Sequence, residues 1–309
     1  MPAHAPSTLQ RRGFLRLWNA PYLLLVLTML FWSGNFVLGR AVAEAVPPVA
    51  LAFWRWFGGF LILLGFAWPH LRRDWPEILR CWRMMLLLSA VGVATFNTLV
   101  YIGLGSTTAI NALLLQSTMP VVIILFSFLL FRDRIGLMQA LGLAASLAGV
   151  AAIVGRGEPA ALLALSFNEG DLLIFTAVVS YALYSALLRR RPAIHPLSFL
   201  AASFALGAAM LLPFHLWEHL AGNSLRANAT TFLAIFYVAV FPSILAYLCF
   251  NRGVELIGAN RAGQFVHLMP LFGSLLAIAF LGERFRLYHA LGMALIGAGI
   301  LLATRASTR

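Results

Sequence analysis

Residues 119–149, MPVVIILFSFLLFRDRIGLMQALGLAASLAG, return 150 residues later as residues 269–299, MPLFGSLLAIAFLGERFRLYHALGMALIGAG. Met119-Pro120 answers to Met269-Pro270, Arg134 to Arg284, and Leu137 to Leu287 without a gap. Ala140-Leu141-Gly142 answers to Ala290-Leu291-Gly292, and Gly149 to Gly299. The frame reaches upstream through Gly103 and Gly253, Ala109 and Ala259, and Ala112 and Ala262. Each copy is an apolar run, a short charged turn and a second apolar run. A run of about twenty apolar residues is what crosses the hydrocarbon of a bilayer, so the chain is a membrane unit written twice.

Working outward, ten such runs can be marked: 22–39, 48–69, 84–103, 109–131 and 136–154, then 171–188, 195–217, 231–250, 259–281 and 287–303. In lipid the backbone polar groups must bond within their own segment, so each run is expected to be helical. The expected fold is an all-α integral membrane protein of ten transmembrane helices. Five is odd, so the second half enters the membrane upside down, giving two inverted five-helix repeats with a solute site between them near the midplane. The expected divisions are a tail (1–20), a first repeat (21–154), an external linker (155–170), a second repeat (171–304) and a short carboxyl tail (305–309).

Composition agrees. Of 309 residues 61% are hydrophobic and 10% charged, with mean hydropathy +0.89, far from the quarter of charged residues in a soluble domain. The net charge of +12 comes from arginine alone. These arginines sit in breaks between apolar runs, which reads as topology information and not as a nucleic-acid surface. With the amino end inside, 15 fall on cytoplasmic segments and five outside, while Arg55 and Arg261 fall within spans. Both termini are therefore expected in the cytoplasm of a cell with a bacterial-type inner membrane. Arg11, Arg12 and Arg16 precede the first run as in a signal peptide, but nearly twenty apolar residues exceed a signal core, and a retained helix is expected. Cys81 and Cys249 are too few for a disulfide framework or a zinc site.

The motifs in order are Phe31-Trp32-Ser33-Gly34-Asn35-Phe36, Arg55, Pro120, Phe131-Arg132-Asp133-Arg134, Gly142 and Gly149. The second half carries Tyr181-Ala182-Leu183-Tyr184, Pro270, Leu281-Gly282-Glu283-Arg284, Gly292 and Gly299. This set resembles the drug/metabolite transporter superfamily, of the type built from two EamA repeats, over nearly the whole chain. Asp133 stands where that pattern usually has glutamate, and Tyr181 where it usually has tryptophan. The resemblance implies a central cavity, helices five and ten at the periphery, and export of metabolites or toxic compounds. Relatives on this plan include exporters of aromatic amino acids and of paraquat-like compounds.

Polar groups inside lipid are costly and mark function. All ten acids fall in loops or at helix ends, which favours a neutral or zwitterionic solute over a cation exchanged at a central carboxylate. His267, a turn before Pro270, matches Ser117, a turn before Pro120; it is a candidate solute ligand or proton site, or a histidine bonded to a neighbouring helix. Gln264 shares its face. Gln116 and Ser117 on the fourth helix and Asn97 and Tyr101 on the third are further candidates. Trp32, Asn35, Phe36, Tyr181, Tyr184 and Tyr247 complete an expected aromatic-lined pocket. Trp54 and Trp56 also lie within a span. Arg55 either pairs a solute carboxylate or snorkels to the outer interface. Pro120 and Pro270 are expected as paired hinges.

The expectation is a transporter, more specifically an exporter of aromatic or other neutral amino acids by alternating access, needing a small solute and the bilayer but no cofactor, metal or nucleic acid. Cationic drugs or nucleosides are alternative solutes. A membrane enzyme would need a nucleophile, metal ligands or paired acids at depth, and the sequence assembles none. Oligomeric state is not legible.

Overall fold

The computed structural model describes residues 17–42, 46–107, 109–158, 160, 168–226, 228–281 and 286–305. Glu44, Arg11, Arg12, Arg16, Arg309 and the turn Gly282-Glu283-Arg284 lie outside the described residues, as do most of the expected amino-terminal tail and much of the external linker.

Each apolar run forms helix. We number them α1 (Pro21–Val42), α2 (Pro48–Arg80), α3 (Trp82–Leu104), α4 (Ala109–Ser117 joined to Met119–Phe131) and α5 (Leu137–Val154). The second half has α6 (Glu169–Arg190), α7 (Pro196–Leu220), α8 (Ala229–Ile257) and α10 (Leu287–Arg305). Between them, α9 is assembled from Ala259–Gln264, a 3₁₀ turn Phe265–His267, and Leu268–Leu281. Among the described residues nine helices are long and apolar enough to cross a membrane; α9 is in shorter pieces.

The second helix outruns its expected end at Pro69. It continues through Pro69 and Pro76 to Arg80, each proline leaving the carbonyl four residues back without its helical donor.

Helix pairing obeys the repeat. Exchanging α1–α5 with α6–α10 turns the contact of α3 with α6 into that of α8 with α1, and the contact of α4 with α6 into that of α9 with α1; both members of each pair are present. The pairs α2–α7, α4–α9 and α5–α10 map onto themselves. In the last, Gly142 meets Gly299 while Gly149 meets Gly292, so the helices run antiparallel. Two helices exchanged by a two-fold and running antiparallel put the axis across them, which is the inverted arrangement. Outside that mutual contact, α5 and α10 meet the bundle mainly through α4 and α9.

Two breaks recur in both halves. Ala90–Thr95 in α3 and Val240–Leu245 in α8 are π-turns at matching positions, 150 residues apart. Such a turn shifts the register of the helix ladder and often marks a functional site. In α4 the ladder breaks at Thr118, and Pro120 sits at the start of the continuing helix, where its missing N–H is not needed. Pro270 takes the same place just after the 3₁₀ turn of α9.

Candidate functional site

The buried polar centre is organised around Arg55. Two turns into α2, it is 0% exposed and so does not snorkel. Nη1 reaches Asn35 Oδ1 at 3.0 Å, Asn97 Oδ1 at 2.8 Å and the Tyr101 hydroxyl at 2.9 Å. Nε donates to Ser243 Oγ at 2.6 Å and Nη2 to the Pro242 carbonyl at 2.9 Å. The Ser243 hydroxyl donates onward to the Val238 carbonyl, leaving a lone pair for Arg55. The guanidinium carbon lies 4.6 Å from the Trp56 ring centroid, a cation–π contact. One side chain thus ties α1, α2 and α3 to the π-turn of α8.

The π-turns supply backbone acceptors. Pro242 accepts from Arg55 and from Trp32 Nε1, and its counterpart Gly92 accepts from the Tyr247 hydroxyl. A second relation crosses the halves with its residue types exchanged. Tyr101 on α3 donates to Asn35 on α1 at 2.7 Å, whereas Tyr184 on α6 donates to Asn251 on α8 at 2.9 Å. The same helix pair is bridged in each repeat, by tyrosine and asparagine in opposite places.

Around this network stands an aromatic wall. Trp32 packs edge-on to Tyr181 with centroids 5.3 Å apart, Phe96 lies 4.6 Å from Tyr181, and Tyr247 lies 5.3 Å from Trp56 and 6.0 Å from Tyr184. Trp54 belongs elsewhere, against Phe53, Phe57 and His215.

Two openings frame the centre. Between the repeats is a crevice lined by Trp32, Asn35, Phe36, Phe96, Asn97, Gln116, Met119, Val266 and Met269, with about 10 Å³ open to a water-sized body, roughly one water. At the end of the bundle where α4 and α8 finish, a vestibule offers about 970 Å³ on the same measure. Arg132, Asp133, Arg134, Arg189, Arg191, Glu255 and Arg261 line it, and it reaches inward to Ser185 and Asn251. Arg189 pairs with Asp133 at 3.1 Å and Arg191 with Glu255 at 2.9 Å.

Trp32, Asn35, Phe36, Asn97 and Gln116 therefore share the crevice; Tyr101, Tyr181, Tyr184 and Tyr247 stand in the hydrogen-bonded and aromatic layer behind it. His267 is buried, with Nε2 3.0 Å from the Ser117 carbonyl. A carbonyl can only accept, so Nε2 carries the proton, and Nδ1 is left bare and unpartnered. The Ser117 hydroxyl turns back to Leu113. Neither end of the Gln116 or Gln264 amide has a protein partner, which is the condition of groups that wait for water or solute.

The sequence alone does not mark Phe96, Met119, Val266 and Met269 as site residues, since apolar side chains there read as packing, nor does it mark Pro242 and Ser243. The 150-residue frame does pair Gly92 with Pro242 and so contained a signal for the π-turns. The eight described acids lie at helix ends, on the long extension of α2 or in turns. Asp171 caps α6 with Asn168 and holds Thr107 and Asn111, while Glu218 accepts from the Val49 and Ala50 amides at the start of α2. Among the described residues no three metal-ligating side chains gather.

The profile of the EamA-like transporter family matches residues 19–155 and 168–305. An uncharacterized transporter of Bacillus subtilis, YyaM, is 27% identical over 292 residues, covering 92% of this chain and 93% of its own. An uncharacterized transporter of Archaeoglobus fulgidus is 29% identical over 290 residues, 92% of this chain and 96% of its own. The uncharacterized inner membrane transporter YicL of Salmonella typhimurium is 28% identical over 229 residues, 73% of this chain and 74% of its own. One crystal structure superposes with TM-score 0.75 at 21% identity, over 92% of this chain and 96% of that one, a likeness of fold.

Proposed function

The chain belongs to the EamA-like transporter family, and from that premise we propose that it exports small organic metabolites, aromatic or other neutral amino acids foremost, by alternating access between its two inverted repeats. The observation that carries this reading is the crevice between the repeats, where Trp32, Phe36 and Phe96 offer ring faces and Asn35, Asn97 and Gln116 offer neutral hydrogen bonds. A few polar groups set among aromatic walls suit a flat, uncharged or zwitterionic solute. The acids at helix ends support the same reading, since among the described residues none stands at the centre to alternate between a cation and a proton.

The open vestibule lies at the arginine-rich end, which the positive-inside bias places in the cytoplasm. Solute enters there, the crevice widens around it, and the Arg55 cluster on the opposite side separates to release it. On this reading the membrane is a bacterial-type inner membrane with both termini cytoplasmic. A cysteine introduced beside Arg156 is then labelled from outside the cell, and labelling only from the cytoplasm rejects the topology.

Efflux of labelled phenylalanine from proteoliposomes tests the substrate class. Protein-dependent efflux slowed by tryptophan is expected. Movement of small hydrophilic anions alone, with no aromatic competitor, rejects it.

A further inference from the structure

We infer that Arg55 receives the carboxylate of the transported solute, so that the protein takes amino acids and related monocarboxylates and discriminates against their amides and against cations. This rests on the transporter reading above and adds a charge requirement to it.

The inference starts from charge balance. A guanidinium is ionised at any accessible pH, and an ion buried at membrane depth costs several kcal/mol unless an opposite charge accompanies it. Arg55 is 0% exposed, yet all five of its acceptors are neutral oxygens. Among the described residues no carboxylate forms an ion pair with it. The neutral acceptors orient the group without cancelling its charge.

Hydrogen-bond counting says where an anion would fit. Nη1 has two hydrogens and three oxygens within 3.0 Å, so one acceptor is always surplus. Nη2 also has two hydrogens but makes one bond, to Pro242. A carboxylate bridging Nη1 and Nη2 in the two-pronged manner would take the spare Nη2 hydrogen and one of the two on Nη1, leaving the other for the three oxygens there, of which Asn35 Oδ1 also accepts from the Tyr101 hydroxyl. Asn35 and Asn97, which hold Nη1, are also crevice walls, so the guanidinium stands one side chain behind the crevice, and the rings of Trp32, Phe36 and Phe96 flank the approach.

Two further observations agree. The vestibule carries five arginines against two acids, a field that concentrates negatively charged groups at its mouth. Aligning Pro48 with Pro196, the first residues of α2 and α7, sets Ser203 opposite Arg55 in the second repeat. The site is thus one cation on one side of the pseudo-two-fold, suited to one carboxylate.

The experiment is calorimetric titration of the purified full-length protein with L-phenylalanine and with L-phenylalaninamide, which keeps ring and ammonium and lacks the carboxylate. The wild type is expected to favour the acid at least about tenfold, Arg55→Gln to lose that preference, and Arg55→Lys to keep part of it. Equal binding of both probes by the wild type, or an undiminished preference in Arg55→Gln, overturns the assignment and leaves the aromatic reading standing. If the wild type binds neither probe, the aromatic reading fails. Alanine against alaninamide then decides for Arg55, with no preference for the acid overturning it. The wild-type comparison stands even where Arg55→Gln does not fold.

Discussion

His267 and Ser117 occupy one repeat position in the two halves, and they bond to each other: imidazole Nε2 lies 3.0 Å from the Ser117 carbonyl oxygen. The break in α4 explains it. Val121 N–H turns to Thr118 instead of Ser117, so the Ser117 carbonyl loses its helical donor and takes one from α9. The histidine is therefore a fastening between repeats, and removing it leaves a buried carbonyl unpaired at a cost of about 1–3 kcal/mol. His267→Ala and His267→Leu should both melt lower in detergent, with His267→Gln milder because an amide can still donate. A Leu variant as stable as the wild type would show that the carbonyl needs no partner.

The contact of α5 with α10 gives a second prediction. A methyl added to Gly149 would lie 2.7 Å from the Gly292 carbonyl oxygen and 3.0 Å from the Ile296 amide nitrogen, backbone atoms that cannot swing aside. Gly149→Ala should cost about 1–3 kcal/mol by overpacking. Gly297, on α10 itself, has nothing within 4 Å of a new methyl, so Gly297→Ala should be neutral or slightly stabilising, since alanine is the better helix former. Equal melting of the two variants would contradict the close crossing.

The contrast between those glycines shows what was legible. Small residues on α5 and α10 announce helix contact, and the repeat announces which helices exchange. Neither tells Gly297, in open space, from Gly149, in the crossing, because that depends on how one helix is rotated against its neighbour. The same limit governs the site. Trp32, Asn35, Phe36, Asn97 and Gln116 are legible because polar and aromatic groups in lipid are costly or conspicuous. Arg55 reads in the sequence as an in-span charge with two open fates, since only the folded α8 brings Pro242 and Ser243 to it.

His195, one residue before α7 begins, stacks its ring on that of His70 in the extension of α2, with centroids 3.7 Å apart. Burial, with His70 alongside and Arg73 near, pulls the His195 pKa below the ordinary 6.5, while Asp74 opposes them. The folded protein then binds this proton less readily than the unfolded chain. Its contribution is complete above about pH 6.5 and declines as pH falls through the folded value. Protonation also ends the cap in which Nδ1 accepts from the Leu197 amide at 3.3 Å. Melting at about pH 7.5 and about pH 5 should show a smaller acid drop in His195→Asn, which caps with a group that does not titrate. An identical drop in both proteins would assign the acid sensitivity elsewhere.

On the alternating-access mechanism proposed above, the two tyrosine–asparagine bridges predict how the conformations are balanced. Tyr101 donates to Asn35 and accepts from Arg55, so it belongs to the cluster on the closed side of the crevice. Tyr184 donates to Asn251, which lines the open vestibule. Removing the Tyr101 hydroxyl should loosen the closed side and leave the open side as it is, shifting the population toward the opposite-facing state. A hydrogen bond of this kind contributes about 0.5–1.5 kcal/mol, which corresponds to a change of roughly two- to tenfold in the ratio of the two states. The readout is a cysteine in place of Phe36, a crevice residue, in a background lacking Cys81 and Cys249. Its labelling by an impermeant reagent from the side opposite the vestibule should rise several-fold in Tyr101→Phe. In Tyr184→Phe it should stay the same or fall, because that bridge is on the other side of the crevice. Equal labelling in the two tyrosine variants would mean that the bridges brace each repeat internally and do not govern which face is open.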